Sequence, residues 1–202
     1  DCKIDLEAFW KEIMRIKKIN TPLFITTTTK FGIDLLNSAP KKCPFRYDLV
    51  WVKSALAGFL SAKKMPMRKH EMIYVFYEKL PFYDLSSHQH KFIKEGGKGM
   101  IEGNKVYEGK KVLYRNESGK YDPPLPTSMV EVKSTRGKHS TEKPVALMEW
   151  ILKYYSKEGD VVLDPTMGSG STGVACKNMN RNFIGIEMDP EIFEVAVNRV
   201  EG

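Results

Sequence analysis

The stretch from Val161 to Thr172, VVLDPTMGSGST, decides the fold. Three apolar residues lead to Asp164. Pro165, Thr166 and Met167 follow, then the turn Gly168-Ser169-Gly170, and Ser171 and Thr172 open another apolar run. This is the pattern of a buried parallel strand that ends in a carboxylate and turns through glycines into a helix. Glycines let the backbone approach a ligand closely, and a helix start offers free N–H groups. Working outward, the next strand candidate, Asn182 to Ile186, ends in Glu187. A carboxylate about 20 residues past a Gly-rich turn reaches the ribose hydroxyls of a bound nucleoside.

The ligand class can be narrowed from the same residues. A phosphate-binding loop of the form GxxxxGK[ST] requires a lysine where Ser171 stands, which argues against ATP. The spacing GxGxxG is met only if Gly173 is counted, and carries little weight alone. Asp164 at the strand tip would repel a pyrophosphate but suits the ammonium of an amino acid. A nucleoside that carries an amino acid and a sulfonium cation is S-adenosylmethionine. A Gly-rich turn without a ligand is the plainer alternative, and the paired strand-tip carboxylates speak against it.

At these residues the chain resembles a known family. DPTMGSGST followed by NRNFIGIEMD is similar to the cofactor signature of the β-class DNA amino-methyltransferases, which modify adenine N6 or cytosine N4. The upstream HSTEKPVALMEWIL resembles the segment that precedes the cofactor strand in that class. The likeness is specific over Lys138–Val200 and weaker, in the expected order, over Asp1–Leu80. It implies a Rossmann-like class I methyltransferase sheet, α/β and mostly parallel with an antiparallel edge strand, in permuted order and carrying a recognition insert. It implies a catalytic half at 1–80, a target-recognition insert at 81–133 and a cofactor-binding half at 134–202. The cofactor ligands it implies are Asp164, Pro165, Thr166, Met167, Gly168, Ser169, Gly170, Ser171, Thr172 and Glu187, with Thr141 and Lys143 beside the methionine end. Ordinary helix capping is the plainer alternative for Ser169, Ser171, Thr141 and Lys143, and cofactor contact is the favoured reading.

Composition is compatible with this reading. The 202 residues suffice for one well-buried domain with a small insert, and 42% apolar residues is ordinary for a globule. No apolar run approaches a membrane span, so neither a signal peptide nor a membrane partner is expected. Cys2, Cys43 and Cys176 show no CxxC pairing and read as reduced thiols; no metal site is expected. The net charge of +7 fits a polyanionic partner, here double-stranded DNA. The resemblance also implies a cytoplasmic protein, bacterial or phage-encoded, and leaves room for a homodimer and a companion restriction endonuclease.

Along the chain, Leu6, Phe9, Trp10 and Ile13 recur at helical spacing behind Asp5, a candidate N-cap. Strands are expected at Leu23–Thr27, Tyr47–Lys53 and Glu71–Tyr77, with a short helix at Lys30–Asn37. The last two strands form a candidate antiparallel edge, with an irregular basic segment between them at Ser54–His70. Regularity fades over Pro81–Lys133, where Pro123, Pro124 and Pro126 break any helix. Val145, Met148, Ile151, Leu152 and Tyr155 mark a helix behind Pro144, and further helices are expected at Ser171–Met179 and from Pro190.

The run Lys41, Lys42, Arg46, Lys53, Lys63, Lys64, Arg68 and Lys69 faces one acid, Asp48, and is interleaved with Phe59, Met65 and Met67. These cations are candidate phosphate contacts, and the apolar residues could wedge into the gap left by an extruded base. A solvated basic face is the alternative. Thr26–Thr29, at the carboxyl end of a strand, could touch cofactor or base, though β-propensity alone explains them. His88 and His90 read as loop histidines, and His70-Glu71 as a structural pair.

Enzymes of the resembled class use a catalytic [DNS]PP[YFW] tetrapeptide. Asp122-Pro-Pro-Leu125 approximates it, but Leu125 cannot stack on a base, and the position is too late in the β-class order. It reads as a Pro-rich turn. The catalytic residues are therefore not assigned, and the true tetrapeptide is expected upstream of Asp1. The expected activity is methylation of adenine N6 after base flipping, with cytosine N4 as the alternative. A non-catalytic DNA- or cofactor-binding subunit and a nicotinamide-dependent reductase are rivals from other classes.

Overall fold

The structure is a computed structural model that describes residues 4–91, 120–135 and 142–202. Thr141 and the recognition-insert residues 92–119 lie outside the described residues. The chain divides into two compact units, 1–84 with 127–202, and 85–126.

The larger unit begins with helix α1, Leu6–Ile16, whose start is fixed by Asp5 accepting from the Glu7 and Ala8 backbone N–H groups. Strand β1 is Leu23–Thr27, helix α2 is Thr29–Ser38, strand β2 is Phe45–Ala57 and strand β3 is Arg68–Phe76. Thr28, one of the threonines weighed as a ligand, caps α2 by accepting from the Phe31 N–H. The smaller unit carries β4, Gln89–Lys91, and β5, Lys120–Asp122, paired antiparallel. The larger unit resumes with β6, Met129–Glu131, then α3, Val145–Tyr155, β7, Val161–Asp164, α4, Ser171–Asn178, β8, Asn182–Gly185, and α5, Pro190–Glu201.

One four-stranded sheet runs in the order β1-β3-β2-β6. β3 is antiparallel to β1 and to β2, whereas β6 joins β2 in parallel. The expected antiparallel pair thus forms, with the short strands β1 and β6 on its flanks. β7 and β8 form a separate parallel pair with Asp164 opposite Gly185.

The apolar run of β3 needs two cores, and it has them. Ile73 and Val75 pack with Leu49, Trp51, Val130 and Leu147 of α3 on one face. Tyr74 and Phe76 pack with Trp10 of α1, Leu35 of α2 and Cys43 on the other. A strand covered on both faces cannot alternate in polarity, which is why the sequence there is continuous rather than period-two. α3 also turns Leu152 toward Ala175 and Cys176 of α4, with Val162 and Phe183 alongside. This third cluster seats the β7–α4–β8 segment. Among the described residues no helix is long and apolar enough to cross a membrane.

One expectation is corrected. The segment 54–70 is more regular than expected: beyond a register shift after Val52, β2 extends through Ala57, β3 starts at Arg68, and a 3-10 turn at Phe59–Ser61 lies near the tip. The sequence pattern missed this because every residue there except Ser61 is at least largely exposed, so no apolar alternation marks the strands. Val130 is buried in the main sheet, paired with Trp51, and the smaller unit is 85–126. Three residues of edge strand are too short to show a period in the sequence. Asp122–Leu125 belongs to that smaller unit, where the Pro123 carbonyl faces the ring of buried His88 at 2.8 Å.

Candidate functional site

Asp164 ends β7, and its carboxylate is already organised. One oxygen accepts from the Thr166 backbone N–H at 3.1 Å, and the other from the Thr172 hydroxyl at 2.6 Å. The strand end is thereby tied across the turn to the first residues of α4. Ladder bonds continue past β8: Ile186 donates to the Asp164 carbonyl and Met167 to the Ile186 carbonyl, each at 3.0 Å.

Glu187 follows directly. Its Oε2 accepts from the Gly168 N–H at 3.0 Å, and its Oε1 from the N–H groups of Met188 and Asp189 at 2.8 and 3.0 Å. Three backbone donors fix this side chain against the glycine turn. The two strand-tip carboxylates therefore border the same turn. Each carboxylate oxygen offers about two lone pairs, so both groups keep acceptor capacity for a ligand.

The turn is shaped by its glycines. Gly168 has φ +51 with open space where a Cβ would point, and Gly170 has φ +78 with Ala196 of α5 only 3.1 Å from that position. The first leaves room on the outer side of the turn. The second lets α5 close against it.

Other residues expected at the site serve different neighbours. Met167 is buried, and a Cβ at Gly185 would lie 2.2 Å from its sulfur, so its side chain packs under the turn. Pro165 and Thr166 are exposed on the turn. The buried hydroxyls of Ser169 and Ser171 accept from Arg199 of α5 at 3.0 and 3.3 Å, and the Ser169 carbonyl accepts from it at 3.2 Å. Neither hydroxyl caps α4, whose N-cap is Gly170. The second guanidinium nitrogen pairs with Glu142 at 3.0 Å, and the Glu142 side chain is only 8% exposed. Arg199 thus joins α5, the turn and the segment before α3.

Lys143 pairs with Glu71 of β3 at 3.2 Å, and Lys53 of β2 bonds the same carboxylate. Burial alone would raise the Glu71 pKa; the Lys53 bond and the Lys143 charge outweigh it and hold the group below its usual range. The pair His70-Glu71 therefore has a mechanism on its acidic side: Glu71 ties β2 and β3 to the start of α3.

Of the eight candidate DNA cations, Lys53 is engaged by Glu71, and Arg46 donates to the Tyr77 and Glu78 carbonyls at 2.9 and 2.7 Å. Lys41, Lys42, Lys63, Lys64, Arg68 and Lys69 are exposed.

Two residues were missed. Met188, 85% exposed beside Glu187, offers a bare apolar surface at the end of the strand. Arg199 was missed because its partners lie 28 and 30 residues upstream. An arginine placed among apolar residues of a terminal helix was the available signal.

The profile of the N6/N4 family described as "DNA methylase" matches residues 5–198. The chain is 30% identical over 158 residues to the Type II methyltransferase M.Cfr9I of Citrobacter freundii, covering 78% of this chain and 44% of that protein. It is 46% identical over 71 residues to the Type II methyltransferase M2.DpnII of Streptococcus pneumoniae, covering 35% of this chain and 26% of that protein. The chain spans less than half the length of these curated relatives. Among solved structures, the M1.HpyAVI–SAM complex aligns with TM-score 0.66 and 25% identity over 98% of this chain and 82% of that one. The cytosine-N4-specific PvuII DNA methyltransferase aligns with TM-score 0.66 at 14% identity, over 96% of this chain and 70% of that one, and is a likeness of fold.

Proposed function

The chain belongs to the N6/N4 DNA methylase family, and from that premise we propose that it is the cofactor-holding part of an S-adenosylmethionine-dependent DNA methyltransferase acting on adenine N6. The observation that carries this is the turn at Gly168 held between two fixed carboxylates.

The residues fit the cofactor. Asp164 suits the amino-acid ammonium and Glu187 the ribose hydroxyls, while the open side of Gly168 admits close approach. Met188 offers the adenine ring an apolar face. S-adenosylmethionine supplies, when bound, a methyl group activated on a sulfonium. The chain's own contribution is to orient the amino-acid end and the ribose, with both acceptors held by hydrogen bonds before the ligand arrives. Such preorganisation lowers the entropic cost of alignment.

Lys41, Lys42, Lys63, Lys64, Arg68 and Lys69 contact DNA phosphates, a sequence-independent role that makes binding salt-dependent. By likeness to the Type II relatives, the protein works beside a restriction endonuclease. The adenine assignment is tested by methylating unmodified DNA with the full-length protein and labelled cofactor, followed by nucleoside analysis. N6-methyladenine is expected; N4-methylcytosine alone moves the assignment to cytosine. No methylated nucleoside, with DNA still bound, favours a non-catalytic subunit. Thermal stabilisation by S-adenosylmethionine and not by NAD is expected, and the reverse would exclude the cofactor.

A further inference from the structure

The β2–β3 connection is an arm with an unusual surface. It leaves the sheet after Val52, where the pairing register shifts, and pairs again at Ala57 with Arg68. Its base is pinned to the sheet side: the Ser134 N–H donates to the Ser54 hydroxyl at 2.9 Å. Its tip is not a slack loop. Ser61 donates to the Gly58 carbonyl at 3.0 Å, Ala62 to Phe59 at 3.1 Å, and Lys64 and Met65 both to Ser61 at 2.9 and 3.0 Å. This compact turn presents Phe59, 80% exposed, and Leu60, fully exposed, with Met65 beside them. Holding large apolar side chains rigidly in water is unfavourable and marks a contact surface.

The charge around the tip selects the partner. Lys63, Lys64, Arg68 and Lys69 flank it, and no acid occurs from Ser54 to His70. Two copies of the arm would repel one another, so self-association through this surface is disfavoured. A polyanion with an apolar interior matches both features, and duplex DNA is such a partner: phosphates outside, stacked bases within.

We propose that this arm is a DNA wedge, in which Phe59 and Leu60 insert at a base step while Lys63, Lys64, Arg68 and Lys69 hold the flanking phosphates. The assignment rests on the DNA methylase reading for the identity of the partner. Apolar wedges of this kind partly unstack a step and kink or unwind the duplex. The cations supply salt-dependent affinity, and the tip supplies affinity that salt does not change. The two contributions are therefore separable.

The experiment uses the full-length protein, a fluorescein-labelled duplex over a salt series, and closed circular plasmid relaxed by topoisomerase. The variant Phe59→Ser/Leu60→Ser is expected to weaken binding roughly tenfold at every salt concentration, with the salt slope unchanged, and to lose the unwinding that the wild type produces. The variant Lys63→Ala/Lys64→Ala is expected to reduce the slope by about 2, close to 0.9 per lost phosphate contact. Leu60→Ser alone, at a fully exposed position, serves if the double variant does not fold. Unchanged affinity and unwinding in the tip variants overturns the wedge. So does a change in sedimentation showing that the tip joins two copies, or tip-dependent binding to phosphatidylserine vesicles without tip-dependent binding to DNA. Wild-type protein that unwinds plasmid in a tip-dependent way yet transfers no methyl group sinks the methyltransferase and leaves the wedge. Methyl transfer with tip variants binding normally does the opposite.

Discussion

A short hydrogen bond between Thr172 and Asp164 sets the geometry at the strand tip. Asp164→Ala removes the charge proposed to face the amino-acid ammonium and should abolish S-adenosylmethionine binding by calorimetry. Thr172→Val keeps the shape and removes only the orienting donor, so affinity should fall by about 1 kcal/mol, roughly fivefold. Equal affinities in wild type and Asp164→Ala would refute the role. Arg199 presents a different balance. Its replacement by Met leaves the Glu142 carboxylate, 8% exposed, without its partner and also strands two serine hydroxyls. Breaking a buried pair from one side costs about 3 kcal/mol, and partial exposure of the guanidinium puts Arg199→Met at the lower end. Urea unfolding should show it; a loss under about 0.5 kcal/mol, the scale of an ordinary surface change, would show the network to be idle. The placement of Asp164 and Glu187 at the strand tips beside the turn was legible in the sequence because strand, turn and carboxylate are local in the chain. Arg199 was not, because its meaning depends on the closure of α5 against Gly170.

Among the elements, α2 offers a contest between propensity and packing. Gly32 lies inside it, where alanine is better by about 1 kcal/mol. Yet a Cβ there would stand 2.3 Å from the ring of buried Tyr74. Overpacking against a rigid aromatic costs about 1–3 kcal/mol, so Gly32→Ala should lower the melting temperature despite the gain in helicity. A raised melting temperature would mean that Tyr74 moves freely. β2, β3 and the start of α3 are joined by Glu71 with Lys53 and Lys143. Its folded pKa is depressed, so this contribution is complete above the usual glutamate value of 4.5 and is lost as pH falls through the lower folded value. The acid limb of the stability curve should therefore flatten in Glu71→Gln, measured by urea midpoints below pH 4.5. An unchanged limb removes Glu71 from the account. The strand Leu23–Thr27 and the helix behind Asp5 were readable because each carries its own pattern or cap. The arm and β6 were not: one has no buried face, and the other is three residues long and defined by its neighbour.

At the scale of the larger unit, the described residues form three apolar clusters, and two of them contain a cysteine: Cys43 among the residues under α1 and α2, Cys176 among those between α3 and α4. Both are free thiols and both are buried. Burial pushes the Cys176 thiol up to about 11 and raises that of Cys43 as well, so both should react slowly at neutral pH while their surroundings stay closed. In a Cys2→Ser background the chain thus contains two natural clocks, one in each cluster. Trapping rates with a thiol reagent, resolved by peptide mass, time the breathing of the two cores separately. Saturating S-adenosylmethionine should slow the Cys176 clock and leave the Cys43 clock running. Equal slowing of both would mean that the two cores open as a single cooperative body.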